Sequence, residues 1–371
     1  MSSHHQFAAM SFSVLRRSLE SNLFAPETSG LTESPHSPTY NVSPFALCFV
    51  ALITIVFAPA FFYTTYTVKS IYTTLAIVES PTPDAYDAVS GDETDDTLAV
   101  AAAEVSGPPE PVTASLRRTH KLLRSVNGWR GNFRGFFLAV LIFILSALGT
   151  LVLAAVPFLP PILASLVVSL ALVHLQAAWV HTVIRANPSS TSIFRGGLPP
   201  FRRTFKATYI PTFLLWVANL IVTLVSAAVI RALKLDIFKT GNPTSVPRLT
   251  PDMIWKAIIV FIVAVSLVFT LTFPANVILI RVQASLLPPD EDTIVPMDRS
   301  FNGTVEPAVF GGRSYVTVKD AFFTLSRASW KRIVILFVKL HALLIFVNIL
   351  YAVAILPIFL LSDHKPNALF E

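Results

Sequence analysis

Long runs of apolar residues alternate with polar stretches along this chain of 371 residues. About 20 apolar residues span a bilayer as a helix, because a rise of about 1.5 Å per residue must cover roughly 30 Å of hydrocarbon. Six stretches have that length and contain neither Asp nor Glu, namely Phe45–Val68, Phe136–Val156, Pro161–Ile184, Ile210–Ile230, Ile258–Ile280 and Ile333–Leu361. The pattern predicts an all-α polytopic membrane protein with about six transmembrane helices, and five or seven are the alternatives.

The polar stretches divide the chain into a tail and a membrane domain. Residues 1–44 are predicted to form a polar N-terminal tail and residues 45–371 the transmembrane helical domain. The tail contains no apolar core of the length that a signal peptide needs, although its Arg and Ser residues leave a transit peptide as the alternative. Residues 79–110 carry nine acidic residues and four prolines. They are predicted to form a disordered loop, because they offer too little apolar surface to fold.

The composition supports a membrane protein. Hydrophobic residues make up 53% of the chain and charged residues 13%, and the mean hydropathy is +0.64. Soluble domains carry about 25% charged residues, so these values argue against soluble enzymes, disordered proteins and collagen-like fibres. Cys48 is the only cysteine, which excludes an internal disulfide and a cysteine-based metal site.

Basic residues indicate the orientation of the predicted bundle. The loops after the first, third and fifth spans, with their helix borders, carry eighteen Lys and Arg residues, whereas the termini and the other loops carry seven. Positively charged loops stay on the side that is not translocated, so both termini are expected on the opposite side. The mitochondrial inner membrane is the suspected location, with these loops in the matrix. The endoplasmic reticulum or the plasma membrane is the alternative.

Two spans and a basic segment recur three times along the chain. The basic segments precede the even-numbered spans and carry charges at helical spacing, namely Arg117–Lys121, Arg202–Lys206, and Val318–Phe323 followed by Arg327 and Trp330–Arg332. Each segment suits an interfacial helix with its basic side chains at the lipid headgroups. The three pseudo-repeated two-helix units are predicted at residues 45–156, 157–232 and 253–361.

Three motifs accompany this repeat. Pro274-Ala-Asn276-Val-Ile-Leu-Ile-Arg281-Val-Gln283 ends the fifth span, and Gly128-Trp-Arg-Gly131-Asn-Phe-Arg134-Gly135 leads into the second. Tyr315 is followed five residues later by Asp320-Ala321 in the last basic loop. Together with three units of two spans, these motifs resemble the mitochondrial carrier family. The resemblance implies a carrier-like six-helix bundle that transports a small solute.

The chain also departs from the family's pattern. The acidic and basic positions after the conserved proline hold Asn276 and Leu279 in the third unit, and Phe61 and Thr64 in the first. Carriers use these charges as a salt-bridge gate, and no acidic residue lies within any predicted span to form one. The rival hypothesis is therefore a non-transporting membrane scaffold, in which a carrier-like bundle binds a partner or lipid.

Polar residues within spans are candidate functional residues because burying them in lipid is costly. The predicted substrate-binding residues are Arg281, Gln283, Asn276, Asn219 and Asn348. Arg281 is expected to anchor an anionic solute or to extend to lipid phosphates. Interhelical hydrogen bonds explain the asparagines equally well. His174, His181 and His341 have no acidic residue nearby and are expected to be hydrogen-bonded rather than metal ligands.

No catalytic, cofactor or metal motif is recognisable, and a membrane enzyme of unrecognised type is the third hypothesis. Asn41 and Asn302 lie in glycosylation sequons on opposite predicted faces of the membrane, so only one of them is expected to be modified. The expected partners are membrane lipids, together with a small anionic solute or another membrane protein. Nucleic acid is not expected, because the basic loops lack a folded module to present them.

Overall fold

The structure is a computed structural model. It describes residues 39–41, 44–80, 111–186, 200–235, 245–247, 250–288, 291–305 and 315–362. Within these residues, five helices are long and apolar enough to cross a membrane, and a bent helix pair provides a sixth span when it is counted as one. The prediction of an all-α polytopic membrane protein is confirmed.

The first two spans combine several kinds of helix. The first span consists of α1 (Pro44–Phe62), a π-helical stretch (Tyr63–Tyr72) and α2 (Thr73–Val78). The second is α4 (Phe136–Ala154), preceded by the separate helix α3 (Leu116–Asn127) and a 3-10 turn (Gly128–Phe133). Gly135 has a φ of +69°, which glycine adopts without steric penalty, and it turns the chain into α4.

The first span continues ten residues beyond its predicted end at Val68. Lys69 interrupts the apolar run in the sequence, but its side chain is exposed and the helix continues past it. Ile71 and Leu75 beyond it are fully buried. Packing against other helices therefore extends this span past the point where its hydropathy falls.

The third span is bent, whereas the sequence predicts a straight helix over the same residues. It consists of α5 (Pro161–Ala171) and α6 (Val173–Ile184), which meet at an angle of 52°. Leu172 lies between them with φ −92° and ψ 4°, outside the helical region. Neither Gly nor Pro occurs between residues 162 and 184 to signal this bend.

The remaining spans incorporate two of the three basic segments. The fourth span is α7 (Phe201–Ala232). The fifth consists of α8 (Pro251–Leu267), a π-helical stretch (Val268–Thr272) and α9 (Phe273–Ala284). The sixth is α11 (Arg327–Ser362), which the short helix α10 (Val318–Phe323) precedes. The basic segment at 202–206 and residues 327–332 of the third segment are therefore the first turns of span helices. Residues 117–121 and 318–323 lie in the separate helices α3 and α10.

The buried core lies at the end of the bundle that carries the basic loops. There the last segments of the odd-numbered spans, α2, α6 and α9, pack against one another. Leu75, Val183 and Val277 are fully buried at this meeting point. In the other half, large apolar side chains such as Phe49 and Phe143 are exposed, as expected for helices surrounded by hydrocarbon.

A short antiparallel strand pair lies at the opposite end of the molecule. β1 (Thr39–Asn41) precedes the first span and pairs with β2 (Ser245–Pro247), which lies between the fourth and fifth spans. The pairing places the start of the first span and the connection after the fourth span on the same side of the bundle.

Candidate functional site

A polar cavity of about 180 Å³ lies at the basic-loop end of the bundle. Its walls come from the end of the first span, the last turn of α9, the loop at residues 297–302 and the connection between α10 and α11. The charged side chains that line it are Glu79, Arg281 and Asp298. The cavity is therefore assembled from segments far apart in the chain.

Arg281 extends from α9 into this cavity and is only 8% exposed. Its Nη2 donates a 2.8 Å hydrogen bond to Thr324 Oγ1, and its guanidinium carbon lies 5.0 Å from the centre of the Phe301 ring. Its buried Nε has no hydrogen-bond partner among the described residues. An unpaired buried donor is unfavourable by about 1–3 kcal/mol, so this guanidinium has unused capacity for an acceptor.

Asp298 supplies a negative charge to the same cavity. Its carboxylate accepts hydrogen bonds from the amide and hydroxyl of Ser300 and from the amide of Asn302. Burial alone raises the pKa of Asp298, but these hydrogen bonds outweigh burial and hold the pKa below its usual value. The side chain is therefore ionised near neutral pH and attracts the Arg281 guanidinium electrostatically.

Glu79 forms an ion pair that we call the Glu79–Arg332 lock. Its carboxylate is 2% exposed and accepts hydrogen bonds from the amides of Val112 and Thr113, the hydroxyl of Thr113, and Arg332 Nη1 at 3.1 Å. Arg332 Nη2 donates to the main-chain oxygens of Ala76 and Glu79 at 3.2 and 2.8 Å. The lock joins the end of the first span to the start of the sixth.

Arg134 makes a similar contact between the second and third spans. Its Nε donates to Thr182 O at 3.3 Å, and its Nη2 donates to Arg185 O. The last carbonyls of a helix lack intrahelical partners and carry partial negative charge, so a guanidinium stabilises them. Arg134 and Arg332 thus each lead into an even-numbered span and hold the end of an odd-numbered one.

The end of the fifth span is held by different contacts. His181 Nε2 lies 2.8 Å from Gln283 O, and Arg185 forms a 3.3 Å salt bridge with Glu291 in the following loop. Polar contacts from neighbouring spans therefore reach the ends of all three odd-numbered spans.

The structure does not bring the five predicted substrate-binding residues together at the cavity. Of them, only Arg281 lines the cavity. Gln283 is buried, and its Nε2 has no partner among the described residues. Asn276 is half-buried on the same helix. Asn219 accepts an interhelical hydrogen bond from Thr272, and Asn348 donates to Leu344 O within its own helix.

The predicted hydrogen-bonded histidines are confirmed at two of three positions. His181 bonds to Gln283 O as described above, and His341 Nδ1 lies 2.8 Å from Phe337 O. His174 Nδ1 is buried without a partner among the described residues. Across those residues, no group of three or more potential metal-ligating side chains occurs.

The two sequons have different surroundings. Asn302 lines the cavity, and its Nδ2 donates a 3.1 Å hydrogen bond to Thr324 O. Asn41 lies in β1, and its side chain is outside the described part of the chain. Glycosylation of either residue stays a prediction.

The sequence alone does not mark Glu79, Asp298 or Arg332 as candidate site residues, although Arg332 belongs to the last basic segment. Glu79 lies within the boundaries of the predicted acidic loop, whereas the structure places it at the end of the first span with a partner 253 residues away. No local pattern marks such a pair. A single acidic residue directly after an apolar run is the only available signal.

Comparison with family models, curated proteins and solved structures gave no match to this chain. Its class therefore follows from its own helices. The chain is a multi-pass integral membrane protein.

Proposed function

We propose that this protein is a carrier-like transporter of a small polar solute, with the Arg281 cavity as its solute-binding site. The observation that carries the proposal is the buried Arg281 side chain, which lines a cavity of about 180 Å³ and has an Nε without a hydrogen-bond partner among the described residues. This volume lies below the roughly 300–1,000 Å³ of typical ligand pockets, which favours a small solute over a nucleotide-sized one.

The charges around the cavity narrow the class of solute. Arg281 contributes one positive charge and Asp298 one negative charge, and the charge of Glu79 is matched by Arg332. The formal sum is zero. A solute that carries both a carboxylate and an ammonium group therefore matches this site better than the purely anionic solute that Arg281 alone indicates.

The arrangement of the spans supports a carrier-like mechanism. The ends of the odd-numbered spans meet at the basic-loop side, where Arg134 and the Glu79–Arg332 lock hold them together. Release of solute on that side requires these contacts to break. In this proposal the lock serves as the gate, and the related roles of Arg134 and Arg332 support the pseudo-repeated units of the carrier resemblance.

Uptake by the purified protein in sealed vesicles tests this proposal. Radiolabelled probes of three classes are compared, namely zwitterionic amino acids, monocarboxylates and inorganic phosphate. We expect uptake of a zwitterionic probe and at least a tenfold loss in Arg281→Gln, because Arg281 supplies the one positive charge among the described residues that line the cavity. Asn348→Ala is the matched control, since Asn348 bonds only within its own helix in the described structure, and it should keep wild-type uptake.

Two results would contradict this function. Uptake that Arg281→Gln leaves unchanged would remove the cavity as the solute site. A wild-type protein that takes up none of the three probe classes would favour the second candidate, a non-transporting scaffold.

The scaffold hypothesis has its own structural support in the Glu79–Arg332 lock. Four donors reach the buried Glu79 carboxylate, which is typical of a permanent joint as well as of a closed gate. Crosslinking through the exposed basic residues tests it. A scaffold should yield a partner in stoichiometric amount, whereas a protein that stays monomeric and partner-free in mild detergent would exclude this role.

A further inference from the structure

The helix α3 has one face packed on the protein and one face covered with positive charge. Thr119 and Leu123 are buried. Arg117, Lys121 and Arg124 are exposed, and their spacing of four and three residues places them on one face of the helix. This basic face is a feature that the proposed transport function does not use.

The charge of the basic face is not balanced by acidic residues in its own part of the chain. No Asp or Glu occurs between residues 111 and 235. Arg130, in the turn that follows α3, is also exposed and adds to the same region. An anionic partner from outside the bundle is therefore electrostatically favoured.

Exposed apolar side chains continue from the basic face to the surface of the second span. Trp129 is 72% exposed in the 3-10 turn, and Phe137 is 85% exposed at the start of α4. Tryptophan is enriched at the boundary between hydrocarbon and headgroups. The apolar run of the second span begins at Phe136 in α4, so α3 precedes the part of the chain that is apolar enough to cross a bilayer. A bilayer surface offers anionic headgroups and an apolar layer side by side, which suits the basic face and the exposed Trp129 and Phe137 together.

We propose that the basic face of α3, with Trp129 beside it, binds the headgroups of anionic phospholipids in the leaflet on the basic-loop side. The three cationic side chains contact the lipid phosphates, and Trp129 lies among the upper acyl groups. This site concentrates anionic lipid at the second span. It is independent of whether the Arg281 cavity binds a solute.

Quenching of Trp129 fluorescence by brominated lipid measures this enrichment directly. The full-length protein is reconstituted in phosphatidylcholine vesicles that contain a minor, equal fraction of either brominated phosphatidylglycerol or brominated phosphatidylcholine. The Trp129 signal is obtained as the difference between the wild type and Trp129→Phe. We expect brominated phosphatidylglycerol to quench Trp129 about twofold more than brominated phosphatidylcholine, and we expect added salt to reduce the excess.

Charge-neutralising variants show whether the basic face causes the excess. Arg117→Gln, Lys121→Gln and Arg124→Gln together should abolish it while leaving quenching by brominated phosphatidylcholine unchanged. The matched control is Arg202→Gln, Arg203→Gln and Lys206→Gln, which removes the same charge from exposed positions at the start of α7. It should keep the excess at Trp129.

Four outcomes would overturn the proposal. Equal quenching by both lipids would show that α3 does not select anionic headgroups, and no quenching by either would show that Trp129 is covered by protein. An equal loss of the excess quenching in the control variant would show that the total positive charge of the protein on this side, and not the basic face of α3, causes the excess. A further variant replaces the acidic residues of Asp92–Asp96 by their amides. If brominated phosphatidylglycerol quenches Trp129 more than brominated phosphatidylcholine only in that variant, the acidic run, and not lipid, occupies the basic face in the natural chain.

Discussion

Four hydrogen-bond donors from two separate parts of the chain surround the Glu79 carboxylate. The amides of Val112 and Thr113 approach it from the segment before α3, and Arg332 approaches it from the sixth span. A buried carboxylate is tolerated only when it is paired and hydrogen-bonded. The four donors explain why an acidic residue can lie at the end of an apolar helix.

Removal of one member of the lock should destabilise the protein strongly. Arg332→Gln leaves the Glu79 charge buried without its partner, and breaking such a pair costs about 3–5 kcal/mol. Adding Glu79→Gln to this variant should recover part of the loss, because the uncompensated charge disappears. The free energy of unfolding in mild detergent checks both expectations.

The matched control for the lock is an exposed ion pair on the opposite side of the bundle. Asp252 and Lys256 are 2.6 Å apart, and the Asp252 side chain is 61% exposed. Asp252→Asn should leave the unfolding free energy unchanged within error, because exposed pairs contribute little. A loss in Arg332→Gln no larger than this control would mean that the lock is not buried in the native protein.

The hydrogen bonds to Asp298 predict a dependence of loop structure on acidity. The pKa of Asp298 is lowered in the folded state, so its contribution to stability is complete above the unfolded value of about 3.9 and is lost as the pH falls through the folded pKa. The loop at residues 297–302 should therefore become sensitive to proteolysis below about pH 4.

Asp298→Asn tests whether this one carboxylate is responsible for the acid effect. Near neutral pH the variant should already show increased cleavage of the loop, and further acidification should add little. An acid-induced increase of the same size in the variant and in the wild type would assign the effect to another group.

At the scale of helical elements, guanidinium contacts to helix ends hold the spans together. Arg134 bridges two carbonyl groups at the end of α6, as Arg332 does at the end of the first span. These contacts require a planar group with several donors, which lysine does not provide. They connect spans whose apolar surfaces alone would not select one partner over another in lipid.

Arg134→Gln should therefore loosen the contact between the second and third spans. Hydrogen bonds to a charged group contribute about 1.5–3 kcal/mol, so a loss of about 2–3 kcal/mol in unfolding free energy is expected. Arg130→Gln, at an exposed position of the same turn, is the control and should have no resolvable effect. Similar losses in the two variants would indicate that net charge matters and the carbonyl contacts do not.

The sequence predicts the helical spans well because each is a long apolar run. It does not predict the bend at Leu172, since neither Gly nor Pro interrupts that helix, or the π-helical stretch at Tyr63–Tyr72. It selects Arg281 as a candidate because a charged group near a span stands out; the structure places Arg281 at the cavity, and its role in substrate binding stays a prediction. Glu79 and Asp298 are missed because their partners are brought close by folding rather than by spacing along the chain.

For the whole molecule, the strand pair and the Arg134 contacts together determine how the third span runs. β1 and β2 place the connection after the fourth span beside the start of the first span, while Arg134 places the end of α6 at the basic-loop side. Both facts require the bent pair α5–α6 to cross the membrane. A re-entrant α5–α6 would return the chain to the side where α5 begins. The fourth span would then end on the basic-loop side, and so would the connection that follows it.

Cysteine labelling in sealed vesicles tests this topology. In a Cys48→Ser background, Arg130→Cys and Lys234→Cys each introduce a thiol at an exposed position. An impermeant maleimide should reach the two positions from opposite sides of the membrane. Labelling of both from the same side would mean that α5–α6 re-enters without crossing.

The Glu79–Arg332 lock has a further consequence for biosynthesis. Its two members are separated by 253 residues. At a synthesis rate of about 5–20 residues per second, the ribosome needs about 13–50 s to produce Arg332 after Glu79. During that interval the first span is already in the membrane with an unpaired acid at its end. A translocon, a chaperone or surface water must shield Glu79 until the last span arrives, so truncation before Arg332 should leave an early product that is recognised for degradation.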